Sequence, residues 1–164
     1  MKTTIECNTD ELKELINKDI TIDSINVIEE EYVDLGLPSG TLWKNANEGG
    51  NYTLYTYDEA VSEFDNLPTK EQLEELNNKC KWEWATQNEV KGHKVTGPNG
   101  KSIFLPAAGY SLRDGSVYDK SMNGTYWSST PHGSNDAWYL VFNSSGANMN
   151  YLGRCNGRSV RLVK

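Results

Sequence analysis

Thr125-Tyr-Trp-Ser-Ser-Thr130, Ala137-Trp-Tyr-Leu-Val-Phe142 and Arg158-Ser-Val-Arg-Leu-Val163 are three aromatic and β-branched runs separated by segments of Asn, Ser and Gly. Runs of this length and composition read as strands, and the residues between them as turns and polar loops. Rigid strands displaying polar loops suit a binding surface. Alternation places Trp138, Leu140 and Phe142 on one strand face and Tyr139, Val141 and Asn143 on the other. Leu140 and Phe142 are expected in the core.

Upstream, Lys94-Val-Thr96 and Lys101-Ser-Ile-Phe-Leu105 flank Gly97-Pro-Asn-Gly100, a hairpin whose turn residues permit unusual dihedrals. Tyr32-Val-Asp-Leu-Gly-Leu37, Pro38-Ser-Gly40 and Thr41-Leu-Trp43 read as strand, turn, strand. Two helices follow. The first covers Tyr57 to Phe64. The second opens at Pro68-Thr69, where Thr69 and Gln72 have the spacing of a capping box and Leu73 and Leu76 point to the core. Trp82 and Trp84, two apart on a strand, share a face and are read as core, with a sugar-stacking pair as the alternative. At the N-terminus, Asn8-Thr-Asp-Glu11 caps a helix over about 9 to 18, and Ile20 to Ile28 reads as a strand. Strands and helices first, then a strand-rich half, make an α+β plan.

The 164 residues, 37% apolar, suffice for one core. Residues 32–164 are the expected domain, and residues 1–31 a segment that packs on it or serves for attachment or oligomerisation. No apolar run approaches the ~20 residues of a membrane-spanning helix, and Met1-Lys-Thr-Thr-Ile-Glu-Cys-Asn8 lacks the apolar stretch of a signal peptide. The net charge of −7 is uneven: residues 1–90 hold 20 acids and 7 bases, residues 91–164 hold 3 acids and 9 bases. The nine bases are scattered and form no nucleic-acid motif. Cys7, Cys80 and Cys155 are too few and too far apart for a disulfide framework or a CxxC metal site. Three reduced thiols are expected, with Cys80–Cys155 the pair if an oxidising setting forms a bridge.

Catalytic patterns are wanting. His93 and His132 have no metal-ligand spacing, and His93 is expected at the surface of the hairpin. Ser128 and Ser129 lack the Gly-x-Ser-x-Gly elbow of a nucleophilic serine. Asp58 with Glu59, and Glu74 with Glu75, are neighbours on helices, so each pair points in two directions and stays solvated.

Tyr32-Val-Asp-Leu-Gly-Leu-Pro-Ser-Gly-Thr-Leu-Trp43, Leu67-Pro-Thr-Lys-Glu71, Gly92-His-Lys-Val-Thr-Gly-Pro-Asn-Gly100, Ile103-Phe-Leu-Pro-Ala-Ala-Gly109, Tyr126-Trp-Ser-Ser-Thr130 and Ser159-Val-Arg-Leu-Val163 together resemble the Fibrobacter succinogenes major paralogous domain. This is a group of C-type-lectin-like domains in gut bacteria and their phages. The resemblance covers about 32 to 163. It implies an α+β, C-type-lectin-like fold in which two helices flank small antiparallel sheets and a loop-rich C-terminal half displays the ligand surface. Some phage and bacterial members of the wider fold family are variable proteins of diversity-generating retroelements, diversified at Asn-rich positions near the C-terminus. Segments 133–139 and 143–156 match such a region in composition and position, and match an ordinary turn-rich loop as well.

Sugar binding in true C-type lectins uses calcium held by Glu-Pro-Asn or Gln-Pro-Asp and by Trp-Asn-Asp. Here Gly97-Pro-Asn99 lacks the acid and Asn135-Asp136 follows Ser134, so no cofactor is expected. Related formylglycine-generating enzymes use two active-site cysteines, and only Cys155 lies in the corresponding part.

The expectation is a non-enzymatic binding module on a phage virion or bacterial surface, with neither a nucleic-acid nor a membrane partner. Its ligand is a host cell-surface glycan or protein, and other virion proteins or further copies of the chain bind through residues 1–31. The alternative is a structural head-fibre, capsid or tail-decoration protein. Ligand contacts are assigned to Asn135, Asp136, Tyr139, Asn143, Asn148, Asn150, Tyr151, Arg154 and Asn156, because aromatic rings supply area and amides supply adaptable hydrogen bonds.

Overall fold

Thr56 and Thr69 each start a helix in the same way. The Thr56 hydroxyl accepts from the Glu59 amide while the Glu59 carboxylate accepts from the Thr56 amide, opening α1, Tyr57–Glu63. Thr69 and Gln72 repeat the arrangement to open α2, Lys70–Lys79. Two otherwise orphaned amides are satisfied at each start. Leu73 and Leu76 of α2 are buried, as their spacing requires.

These features come from a computed structural model that describes residues 4–7, 24–27 and 31–164. The chain divides into two compact units, residues 1–31 and 32–164. In the first, β1 (Thr4–Cys7) pairs in parallel with β2 (Ser24–Val27). The helix expected over 9 to 18 lies outside the described residues.

The second unit is built from small antiparallel sheets. β3 (Tyr32–Asp34) pairs with β4 (Leu42–Lys44). β5 (Lys81–Gln87), β6 (Val90–Thr96) and β7 (Ser102–Pro106) form a meander, and the last two are the hairpin read from sequence. β8 (Tyr110–Ser111) pairs with β9 (Val117–Tyr118). β10 (Gly124–His132), β11 (Asp136–Asn143) and β12 (Gly146–Gly153) form the longest sheet, with Tyr139 opposite both Trp127 and Asn150. The expected last strand, Arg158–Val163, is an extended segment held by single bridges, Tyr55 to Arg158, Tyr126 to Ser159 and Trp43 to Val163. It runs through the interior, with Val160, Leu162 and Val163 buried.

The β10–β12 sheet separates two apolar clusters. One face contributes Tyr126, Leu140 and Phe142 to a cluster with Trp43, Leu73, Leu76 and Val95. The other contributes Trp127, Ala137 and Tyr139 to a cluster with Tyr57, Ala60 and Val160. Gly124 is required here: a Cβ on it would stand 2.0 Å from Phe142 Cζ, so the ring packs flat on bare backbone.

The fold class expected from sequence is corrected. Among the described residues the protein is mostly β, with two helices of 7 and 10 residues against several small antiparallel sheets, and it is not an α+β C-type-lectin arrangement with flanking helices. The largest departure is the stretch read as a loop, 143–156, most of which is β12. Asn148 and Asn150 disfavour a strand by propensity alone, yet β12 is an edge strand whose residues 148 and 150 face solvent, so pairing with β11 decides. His93 is the second correction. It is 2% exposed, in edge-to-face contact with Trp82, Trp84 and Phe142, and its Nε2 lies 2.7 Å from the Asn143 carbonyl. Trp82 and Trp84 are half-buried and pack on the first cluster. Cys80 and Cys155 are free thiols.

Candidate ligand-binding face

The nine residues assigned to ligand contact do not form one surface. Asn135 and Asp136 sit at the β10–β11 turn, where Arg154 is a structural staple. Its Nε donates to the Asp136 carbonyl at 3.0 Å and its Nη2 to the Gly133 carbonyl at 2.7 Å, while its amide donates to the Asn135 carbonyl. Its cation also stands over the Tyr57 ring, 4.9 Å from the centroid. Asn143 lies at the opposite end of the sheet, where its side chain accepts from the Ser145 amide to hold the β11–β12 turn. Tyr151 faces the Trp138 side. There it stacks on His132 with centroids 3.7 Å apart and meets Trp138 edge-on at 4.9 Å, while Lys70 Nζ caps Trp138 at 4.2 Å.

Tyr139, Asn148, Asn150 and Asn156 remain, and these belong together. Register puts the Asn150 side chain beside Tyr139, Asn148 beside Val141 and Leu152 beside Ala137, all on one sheet face. Toward β10 that face is covered by α1 and the C-terminal segment. Toward β12 the cover stops, and a cavity of about 290 Å³ opens at the boundary. Tyr139 and Arg158 line it on the sheltered side, with Tyr110 and Asn156 beside them. Its outer lining includes Leu112 and Leu152, 39% and 52% exposed.

Arg158 was not foreseen as a site residue. It is 2% exposed, with Cζ 3.5 Å from the centroid of Tyr139 and 4.9 Å from that of Trp127. Burial pushes its guanidinium down to about 10, partly offset by Tyr139 and Tyr110, so it remains a cation at neutral pH. Among the described residues four buried side-chain atoms lack a hydrogen-bond partner, Trp43 Nε1, His93 Nδ1, Ser159 Oγ and Arg158 Nε. Only the last belongs to a charged group.

Arg161, three residues on and equally buried, is the contrast. Its Nε donates to Asn47 Oδ1 at 2.8 Å, its Nη1 to the Lys44 carbonyl at 3.0 Å and its Nη2 to the Phe104 carbonyl at 2.6 Å. Arg161 interrupts the apolar run Val160–Val163, a signal visible in sequence, whereas Arg158 lies between Gly157 and Ser159 and carries no such mark. Which of them is satisfied depends on residues 47 and 104, distant in sequence.

Residues 67–163 match a protein family described as a domain of unknown function, DUF8237. The chain belongs to the DUF8237 family. The DUF8237 stretch runs from just before α2 to the end of the C-terminal segment and so contains every residue that lines the cavity. No curated protein and no solved structure matches the chain.

Chemically, this lining offers one cation, phenol and amide groups and apolar walls. It contains neither a carboxylate nor an imidazole. Ser128, on the adjacent strand, is buried and donates its hydroxyl to the Trp138 carbonyl at 2.6 Å. Among the described residues no three His, Cys, Asp or Glu side chains are grouped to hold a metal.

Proposed function

We propose that this protein is a non-enzymatic recognition module, displayed on a phage virion or bacterial surface, that binds a host-surface glycan or protein through the open face of β11 and β12. The observation that carries this reading is the cavity at the edge of that face. Rigid strands hold it, Leu112 and Leu152 lie exposed along it, and the amides of Asn148, Asn150 and Asn156 adjoin it. Pockets that bind small groups combine apolar walls with a few placed polar groups in this way. Recognition is favoured over catalysis because the cavity pairs no nucleophile with a base.

The test is binding of the purified chain to intact cells of gut bacteria, wild type against the triple variant Asn148→Ala, Asn150→Ala, Leu152→Ala. All three side chains are exposed, so the variant is expected to fold. Saturable binding that falls at least tenfold in the folded variant supports the reading. Equal binding by both proteins would remove this face from the function, and no binding to any strain would favour a structural decoration role.

A further inference from the structure

We infer that the cavity beside Arg158 takes a carboxylate group borne on a body about the size of one six-membered ring. The inference rests on the recognition reading above and specifies its ligand chemistry.

A guanidinium removed from water demands compensation, normally hydrogen bonds to a carboxylate or to carbonyls. Arg161 shows how this chain meets that demand when an arginine serves the fold: each of its three nitrogens has an oxygen partner. Arg158 has two aromatic rings against its faces and no oxygen at Nε. One guanidinium donor meets the Tyr139 hydroxyl and Nε–H meets none, so donors remain to match the oxygens of a carboxylate. Among the described residues the cavity lining holds no acid that would compete for them. About 290 Å³ lies at the small end of ligand pockets, which limits the body that carries the anion. Tyr110, Tyr139, Leu112 and Leu152 offer that body aromatic and aliphatic surface, and Asn123 and Asn156 offer amides to its substituents. An aromatic acid and an acidic sugar share this chemistry.

The experiment titrates the full chain with sodium benzoate, sodium glucuronate and inorganic phosphate, and with benzamide and glucose as uncharged counterparts. It follows the Arg158 Nε–H signal and the backbone amides of Leu152 and Asn156 by NMR. Saturable shifts with benzoate or glucuronate, at least tenfold weaker with the matching neutral compound, are expected, and the stronger of the two acids assigns the source as aromatic or sugar. Arg158→Met is expected to abolish the shifts. Because that variant alters the interior, Leu152→Asp at the exposed rim is the second test. It removes apolar surface for either ligand and adds a charge that repels only the acids, so it is expected to weaken acid binding at least fivefold more than benzamide binding, and equal weakening of both would overturn the assignment. No saturable shift with either acid, equal shifts with the neutral compounds, or binding of phosphate alone would overturn the assignment. Cell binding lost in the β12 triple variant without any acid effect would leave the recognition face standing and remove only the carboxylate.

Discussion

Replacing Arg161 and Arg158 one at a time by Met is expected to give two different stabilities from the same chemical change in one segment. Arg161→Met removes donors from Asn47 Oδ1 and the carbonyls of Lys44 and Phe104. Each buried acceptor left without a donor costs ~1–3 kcal/mol, so the loss is about 4 kcal/mol. Arg158→Met removes a cation whose burial lowers its ordinary value to about 10. At ~1.4 kcal/mol for each tenfold change in equilibrium, holding that charge inside costs about 3 kcal/mol. Against this stand its contacts with Tyr139 and Trp127, worth ~1–2 kcal/mol each. The net change for Arg158→Met is therefore within about 1 kcal/mol of zero. For a domain of this size 1 kcal/mol moves Tm by ~2–4 °C, so Arg161→Met is expected to melt about 12 °C lower and Arg158→Met within about 3 °C of wild type. Thermal unfolding followed by circular dichroism reads both. Equal losses in the two variants would refute the distinction between a satisfied and an unsatisfied arginine.

Other outcomes follow from the same packing. Burial pushes the Cys80 thiol up to about 11 and the Tyr126 phenol up to about 12. Both groups then hold their protons in the folded chain after the unfolded chain has released them. Stability is expected to be full below about pH 9, to fall from there through 11 on account of Cys80, and to fall from about 10 through 12 on account of Tyr126. Urea midpoints at pH 8, 9 and 10 should decline less in Cys80→Ala than in wild type, and an unchanged decline would exclude the thiol as the cause. Gly124→Ala drives a methyl group into the Phe142 ring and is expected to cost about 3 kcal/mol, read from the urea midpoint, whereas Gly133→Ala, in open space at positive φ, should cost about 1 kcal/mol. At pH 8 a maleimide is expected to label exposed Cys155 well before Cys80, and comparable rates by mass spectrometry would contradict the burial of Cys80.

Local chemistry made much of the framework legible. Thr69 and Gln72 announce α2, Gly97 and Gly100 announce the β6–β7 turn, and alternation puts Leu140 and Phe142 inside. Tertiary pairing hid the rest. Asn148 and Asn150 look like loop residues until β11 supplies their hydrogen-bonding partner strand. His93 reads as a hairpin surface residue, although Val95, two positions on, is buried on the same face and carries the signal that was available. In the candidate site Tyr139 and Asn156 were legible as aromatic and amide residues near the C-terminus. Arg154 fits the composition of a binding loop, yet its donors are used by the turn it closes. Arg158 gave no such composition signal, because its significance lies in partners it lacks.

Residues 158–164 thread between β4 and β10. Leu42 and Lys164 exchange both backbone hydrogen bonds, the Lys44 amide donates to the Leu162 carbonyl, and the amides of Trp127 and Ser159 donate to the carbonyls of Ser159 and Thr125. The order of assembly follows from this. During synthesis β3 and β4 emerge more than a hundred residues before the segment that completes their edge, so the second unit cannot close co-translationally as its early strands appear. Ring closure over such a separation is slow, and until it occurs the apolar faces around Trp43 and Trp127 remain open to water. The aggregation-prone interval thus lasts until residues 158–164 dock, and a chaperone that shields exposed apolar surface should raise the yield of folded protein.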